Sequence, residues 1–417
     1  MTAEAEIRRR ILLHGAITFA EFMDVALYWP DEGYYTSTEP FGASGDYYTS
    51  PMAHPAFGAL LAVQLFQMWQ LLCRPKVFTV TEMGAGNGLL CRDITAYSGH
   101  LSEEFQASLR YVCLDRRLSA GEELGSSRAS RVAAAGIPLK GVNGCFLSNE
   151  FLDALPVHQV RVNGGRLKEV YVALNEDNLV ETLGEPSTPD LSDRLKGASI
   201  NLAEGQTAEI NLGLDNWAEE VSTALDAGFV LTIDYGHLAA DLYSAEVRPR
   251  GALTTYYRHI QMDAPFRRVG QQDISAQVDF TSVVQAGSAR GLDTLGYTTQ
   301  QHFLDNLGVG RFLSMMGSLR LPPTALQANR AGLIDLVRPT GLGNFKVLVQ
   351  GKNVGRPNLW GVEPDKGSRK LIEHLELPLI TPQHISHLEG RYPPGEYEFA
   401  LDDLWPSGND FADDYSA

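Results

Sequence analysis

From residue 77 onward the chain alternates short apolar runs with longer amphipathic stretches: VFTVTE, YVCLD, GCFLSNE, GFVLTIDYG and, far downstream, FKVLVQG. Apolar runs of this kind, bounded by turn residues and separated by helical spacing, predict a largely parallel sheet with helices on both faces. The expected class is therefore α/β and Rossmann-like. Between the third and fourth runs the pattern changes. VHQVRVNGGRLKEVYVALNEDNLVETLG alternates apolar and polar positions, with turns at Asn163-Gly164-Gly165 and Asn175-Glu176-Asp177-Asn178. That period of two predicts an antiparallel β meander, over about residues 157–205, inserted into the parallel fold where it can wall a site.

The first 75 residues read as helices and turns. An amphipathic helix opens the chain, Thr18 and Glu21 have capping-box spacing, and Trp29-Pro30 and Glu32-Gly33 interrupt the helical pattern after them. Ser50 is placed to cap a helix with Pro51 in its first turn. Leu60, Leu61, Val63, Leu65, Phe66, Trp69, Leu71 and Leu72 make that helix apolar on most sides, so it is expected to lie buried against the sheet. The resulting scheme is an N-terminal helical cap over 1–75, a catalytic domain over 76–352 and a C-terminal extension over 353–417. The stretch from Arg391 to Ala417 carries seven acidic residues and one basic, and reads as a loosely ordered tail.

Composition narrows the classes of function. No apolar run approaches the ~20 residues of a membrane helix, and Glu4 and Glu6 beside Arg8 to Arg10 speak against a transit segment. Cys73, Cys91, Cys113 and Cys145 stand apart with no metal or disulfide spacing, which points to a reducing compartment, expected to be the cytoplasm. The formal charge of −17 disfavours a nucleic-acid partner and favours a cationic substrate. His384 and His387 in HISH have helical ligand spacing but no accompanying carboxylate or cysteine pair, so no metal is expected.

The strongest local signal is VFTVTEMGAGNG, a strand ending in Glu82 followed by Gly84, Gly86 and Gly88. Glycines in a strand-to-helix turn let the backbone approach a ligand lying over the strand ends. The spacing is G-x-G-x-G rather than the dinucleotide G-x-G-x-x-G, and a carboxylate two positions ahead of it suits an ammonium and a sulfonium better than a pyrophosphate. That variant resembles motif I of S-adenosylmethionine enzymes. Asp115, 27 residues beyond Gly88 at the end of YVCLD, is placed to accept ribose hydroxyls.

The run GCFLSNE leads into FLDALPVH and puts Asn149, Glu150 and Asp153 at the carboxyl edge of the sheet, where open α/β folds hold ligands. A helical turn there would bring Glu150 and Asp153 onto one face, fit to grip a guanidinium and take its proton. The bland alternative makes Asp153 a helix cap and Glu150 a structural acid. Tyr235 and His237 after the next strand are candidates for the acceptor pocket, and Asp273 and Asp279 read as helix caps.

Taken together, DEGYY at 31–35, FGASGDYYTSP at 41–51, EMGAGNG, SNEFLDALPVH at 148–158, IDYG, RGALTTYYRH at 250–259 and QQDISAQVDF at 271–280 resemble the MidA-like methyltransferases. The resemblance implies a class I fold, S-adenosyl-L-methionine as methyl donor and an arginine nitrogen of a protein as acceptor. It also implies that Gly45 and Asp46 sit on a loop over the cofactor. Rival readings are a nonenzymatic assembly factor retaining the fold, a methyltransferase for small molecules, and a nicotinamide oxidoreductase.

Overall fold

The computed structural model describes residues 1–37, 48–117, 124–257 and 260–384. Its centre is a seven-stranded sheet: β1 Phe78–Met83, β2 Leu109–Asp115, β3 Ala129–Ala133, β4 Val142–Asn149, β5 Leu225–Asp234, β6 Asp293–Thr299 and β7 Lys346–Lys352. The spatial order is β6-β7-β5-β4-β1-β2-β3, with β7 antiparallel to both neighbours and β1 to β5 parallel. This is the α/β, Rossmann-like arrangement expected from the alternation of runs. The order reverses beside β1, which makes the carboxyl ends of β1, β2, β4 and β5 the natural ligand edge.

Each face of the sheet buries its own core. Val80, Cys145, Leu147, Phe229, Leu231 and Val349 point to the side covered by the helices Ala56–Leu71 and Leu89–Leu101. Met83, Phe146, Val230 and Leu348 point to the other, covered by Gly213–Ala224 and Phe280–Ser288. The alternation is the strand period of two read out in three dimensions. Residues 56 to 69 are all buried, so the apolar helix does lie against the sheet. It begins differently from the expectation, however. Ser50–Ala53 is a separate short helix with Thr49 at its N-cap, and Ser50 instead donates its buried hydroxyl to Gln300 Oε1.

The meander is formed by His158–Asn163, Arg166–Asn175 and Asn178–Gly184, with two-residue turns between them. Its sheet also takes in Thr207–Ile210 and, from the N-terminus, Ile17–Thr18 paired with Val172 and Tyr171. The helices Ala3–His14 and Phe19–Tyr28 pack on it through Ile7, Ile11, Phe19 and Phe22. Thr18 caps the second of these by accepting from the Glu21 N–H at 3.1 Å. At the other end of the chain, Leu359, Trp360 and Leu375 join the sheet core, so residues beyond 352 are integral to the packing. No helix among the described residues is long and apolar enough to cross a membrane.

Candidate functional site

The loop after β1 is built for close approach. Gly84, Gly86 and Gly88 have φ of +69°, +50° and +80°, a region costly for residues bearing a Cβ. A Cβ on Gly84 would lie 2.8 Å from the Phe151 ring, and one on Gly88 would lie 2.6 Å from Leu124. Arg131, on the edge strand β3 two strands away, fastens the loop from outside by donating to the carbonyls of Gly86 (3.1 Å) and Asn87 (2.6 Å).

This loop floors a cavity of about 560 Å³ at the carboxyl edge of the sheet. Glu82, Gly84, Gly86, Asp115, Asn149 and Glu150 all line it, so the candidates drawn from separate motifs converge. Glu82 is buried and accepts from the Tyr111 hydroxyl at 2.9 Å; burial pushes its pKa up to about 8. Asp115 accepts from the Gly86 N–H at 3.1 Å and the Arg116 N–H at 2.7 Å, and burial raises its pKa against these bonds. With about four acceptor sites on a carboxylate, it keeps capacity toward the cavity. Gly45 and Asp46 lie outside the described residues.

Glu150 and Asp153 are brought together, but not by a helical turn. Glu150 has φ +52°, so the chain leaves β4 in a left-handed kink and runs through a non-helical turn. Asp234, at the end of β5, holds that turn: its carboxylate accepts from the N–H groups of Phe151 (3.1 Å), Leu152 (2.9 Å) and Tyr235 (2.9 Å). Burial, followed by the nearby Asp153 charge, pushes the Glu150 pKa up to about 8, while the Asn149 amide donates to Glu150 at 3.0 Å. Asp153 is buried, raised in pKa by burial, and accepts from the Tyr235 hydroxyl; its other oxygen, Oδ1, has no donor.

The remaining candidates divide. Tyr235 supports Asp153 without lining the cavity, and His237 is engaged 2.8 Å from Arg248. Asp279 caps its helix as expected, accepting from Thr281 and Ser282. Asp273 does not cap; it lies in the strand Asp273–Ala276 and accepts from the Tyr35 hydroxyl at 2.8 Å. His384 is bound to Asp93 and Thr381 rather than held for a metal, and His387 lies outside the described residues.

Several lining residues carry no mark in the sequence. Tyr28 and Tyr35, from the N-terminal cap, stack with ring centroids 5.6 Å apart, and the Arg116 guanidinium sits 3.8 Å over the Tyr28 ring. Only the DEGYY block hinted at Tyr35. At the other end of the cavity Glu220 accepts from the Ile137 N–H at 3.1 Å, and beside it Trp217 presents a buried indole N–H with no acceptor. A lone Trp in an amphipathic helix carries no local signal of such a role.

An S-adenosyl ligand fits these groups: a positive-φ glycine loop along the cavity floor, a buried carboxylate for an ammonium, a second for ribose, and an orphaned donor for a base. Comparison with known proteins points the same way. Residues 60–298 match the family model described as S-adenosyl-L-methionine-dependent methyltransferase. The chain is 27% identical over 379 residues to the Drosophila melanogaster homologue of the mitochondrial protein arginine methyltransferase NDUFAF7, covering 82% of this chain and 83% of that one. It is 26% identical over 387 residues to the Homo sapiens protein of that name, covering 80% of each. A Burkholderia thailandensis protein crystallised with S-adenosyl-homocysteine superposes with a TM-score of 0.75 at 26% identity, covering 86% of this chain and 94% of that one. The expected cytoplasmic location is overturned by the NDUFAF7 relatives, which are mitochondrial proteins. Reduced thiols report a reducing compartment and do not distinguish one such compartment from another.

Proposed function

Given that the chain belongs to the MidA-like family of S-adenosyl-L-methionine-dependent methyltransferases, we propose that its acceptor is an arginine side chain of a protein. The observation that carries this is the end of the cavity at Glu150. Glu150 and the stacked Tyr28 and Tyr35 line it, Asp153 lies buried next to Glu150 without lining the cavity, and a guanidinium, that of Arg116, already lies on the Tyr28 ring. The relatives named as protein arginine methyltransferases support the same acceptor.

The bound donor supplies a methyl group on a positively charged sulfur, activated for in-line displacement. Glu82 would hold the ammonium and Asp115 the ribose hydroxyls, so that the donor is bound at both ends. Glu150 hydrogen-bonds the guanidinium and turns one nitrogen toward it. Burial raises the Glu150 pKa in the ligand-free chain, and a guanidinium beside it favours the carboxylate again, so the group is ionised when the acceptor is in place and can take the proton lost after transfer. Asp153, held by Tyr235, adds negative charge opposite the cation and keeps one oxygen for it. Positioning and electrostatics perform the work, with no covalent enzyme intermediate.

Incubation with methyl-labelled donor and arginine-containing peptides tests the reading. Label is expected on arginine and absent when that arginine is replaced by lysine. Glu150→Gln is expected to bind the donor product S-adenosylhomocysteine within about threefold of wild type, yet to lose turnover by roughly 10²-fold. Unchanged turnover removes Glu150 from the chemistry, and label appearing only on small molecules removes the protein acceptor.

A further inference from the structure

Gln383 lines the donor cavity, although it lies 85 residues beyond the end of the segment that matches the family model (383 − 298). The way it reaches the cavity is specific. The Tyr97 hydroxyl, in the C-terminal half of the helix Leu89–Leu101, donates to the Glu376 carbonyl at 2.7 Å. Toward the start of the same helix, Asp93 Oδ2 lies 3.0 Å from His384 Nε2. Residues 376 to 384 thus run back along the helix that follows the glycine loop, from its far end to the end that faces the ligand. Leu375, just before it, and Leu377 within it pack into the sheet core, and the Ile380 N–H donates to Asn329 Oδ1 at 3.0 Å.

The end of this strap is held by a chain of polar contacts. His384 is fully buried; its Nε2 meets Asp93 and its Nδ1 lies 2.8 Å from the Thr381 hydroxyl. The Thr381 hydroxyl is also 2.8 Å from Gln383 Oε1. Both ring nitrogens and the intervening side chain are therefore committed, and Gln383 is held against the cavity. A buried histidine fixed at both nitrogens is an expensive anchor unless the position of its neighbour matters.

We infer that the C-terminal strap is part of the methyl-donor site: Gln383 walls the amino-acid end of the ligand beside the glycine-loop helix, and the Thr381–His384–Asp93 chain positions it. This rests on the donor site as assigned above. With its amide oxygen accepting from the Thr381 hydroxyl, Gln383 turns its amide N–H donors to the ligand end that carries a carboxylate. Gln383 is a binding residue, and His384 and Asp93 are positioning residues acting through it.

Titration of S-adenosylhomocysteine into the full chain, with hydrogen exchange of residues 378–384, tests the strap. Gln383→Ala is expected to raise the Kd about tenfold, the scale of one hydrogen bond to a charged ligand group, with its melting temperature unchanged. Asp93→Asn retains an oxygen that accepts from His384 and is expected to bind like wild type, whereas Asp93→Leu is expected to weaken binding as Gln383→Ala does. Ligand is expected to slow exchange across 378–384. Wild-type affinity in Gln383→Ala, or exchange in the strap indifferent to ligand, overturns the inference while leaving the donor site standing. A wild-type chain that takes up no S-adenosylhomocysteine overturns the donor site first.

Discussion

Glu82 and Glu150 are carboxylic acids withheld from water, with pKa values near 8 where the ordinary value is 4.5. Between those limits the folded, ligand-free chain holds protons that the unfolded chain has released. The contribution of both groups to stability is therefore fullest at acid pH and is lost as pH rises through that window. Cationic ligands reverse the penalty by favouring the charged form, so their binding expels protons and tightens with rising pH. Glu82→Gln keeps an acceptor for the Tyr111 hydroxyl and removes the buried charge. It is expected to raise the melting temperature of the ligand-free chain at pH 8 by roughly 2–4 °C, to leave it unchanged near pH 4, and to weaken S-adenosylhomocysteine about tenfold. Thermal shifts equal at both pH values would sink the titration argument.

Among the elements, the turn after β4 decides the end of the cavity proposed for the acceptor. Glu150 and Asp153 were legible as candidates because an acid at the carboxyl edge of a strand stands where ligands bind. Their relation was not, because the left-handed Glu150 and the carboxylate of Asp234, more than eighty residues away, set it. Asp234 accepts three backbone N–H groups. Asp234→Asn offers one acceptor oxygen where two were used, and is expected to cost about 1–3 kcal/mol in denaturant unfolding. It should lower turnover more than donor affinity, since the displaced groups belong to the acceptor side. A variant of unchanged stability would show that the turn holds itself. The two strands missing from the sequence-based set, β3 and β6, are the edges of the sheet. Edge strands are half solvated and lack the apolar run that marks a central one; β3 has no fully buried residue, and β6 shifts register at Thr294/Gly296.

For the molecule as a whole, the −17 charge and the acids around the acceptor end favour a cationic partner over long range. Methylation of an arginine peptide is expected to lose kcat/KM by roughly tenfold between 50 and 500 mM salt, through encounter rather than turnover, as screening shortens the reach of the field. A salt-independent kcat/KM would confine recognition to the cavity. The five inner strands alternating with helices, the glycine loop and the two acids Glu82 and Asp115 were legible in the sequence itself. Each depends on a few adjacent residues: a positive-φ turn needs its glycines, and a buried strand needs its apolar run. The tertiary structure alone decided which groups share the cavity. Tyr28 from the N-terminal cap, Trp217 from a helix on one face of the central sheet and Gln383 from the C-terminal strap meet the loop after β1 only through packing of segments far apart in the chain. No local pattern records a contact between residues hundreds of positions apart, because that contact is set by how whole layers fit together.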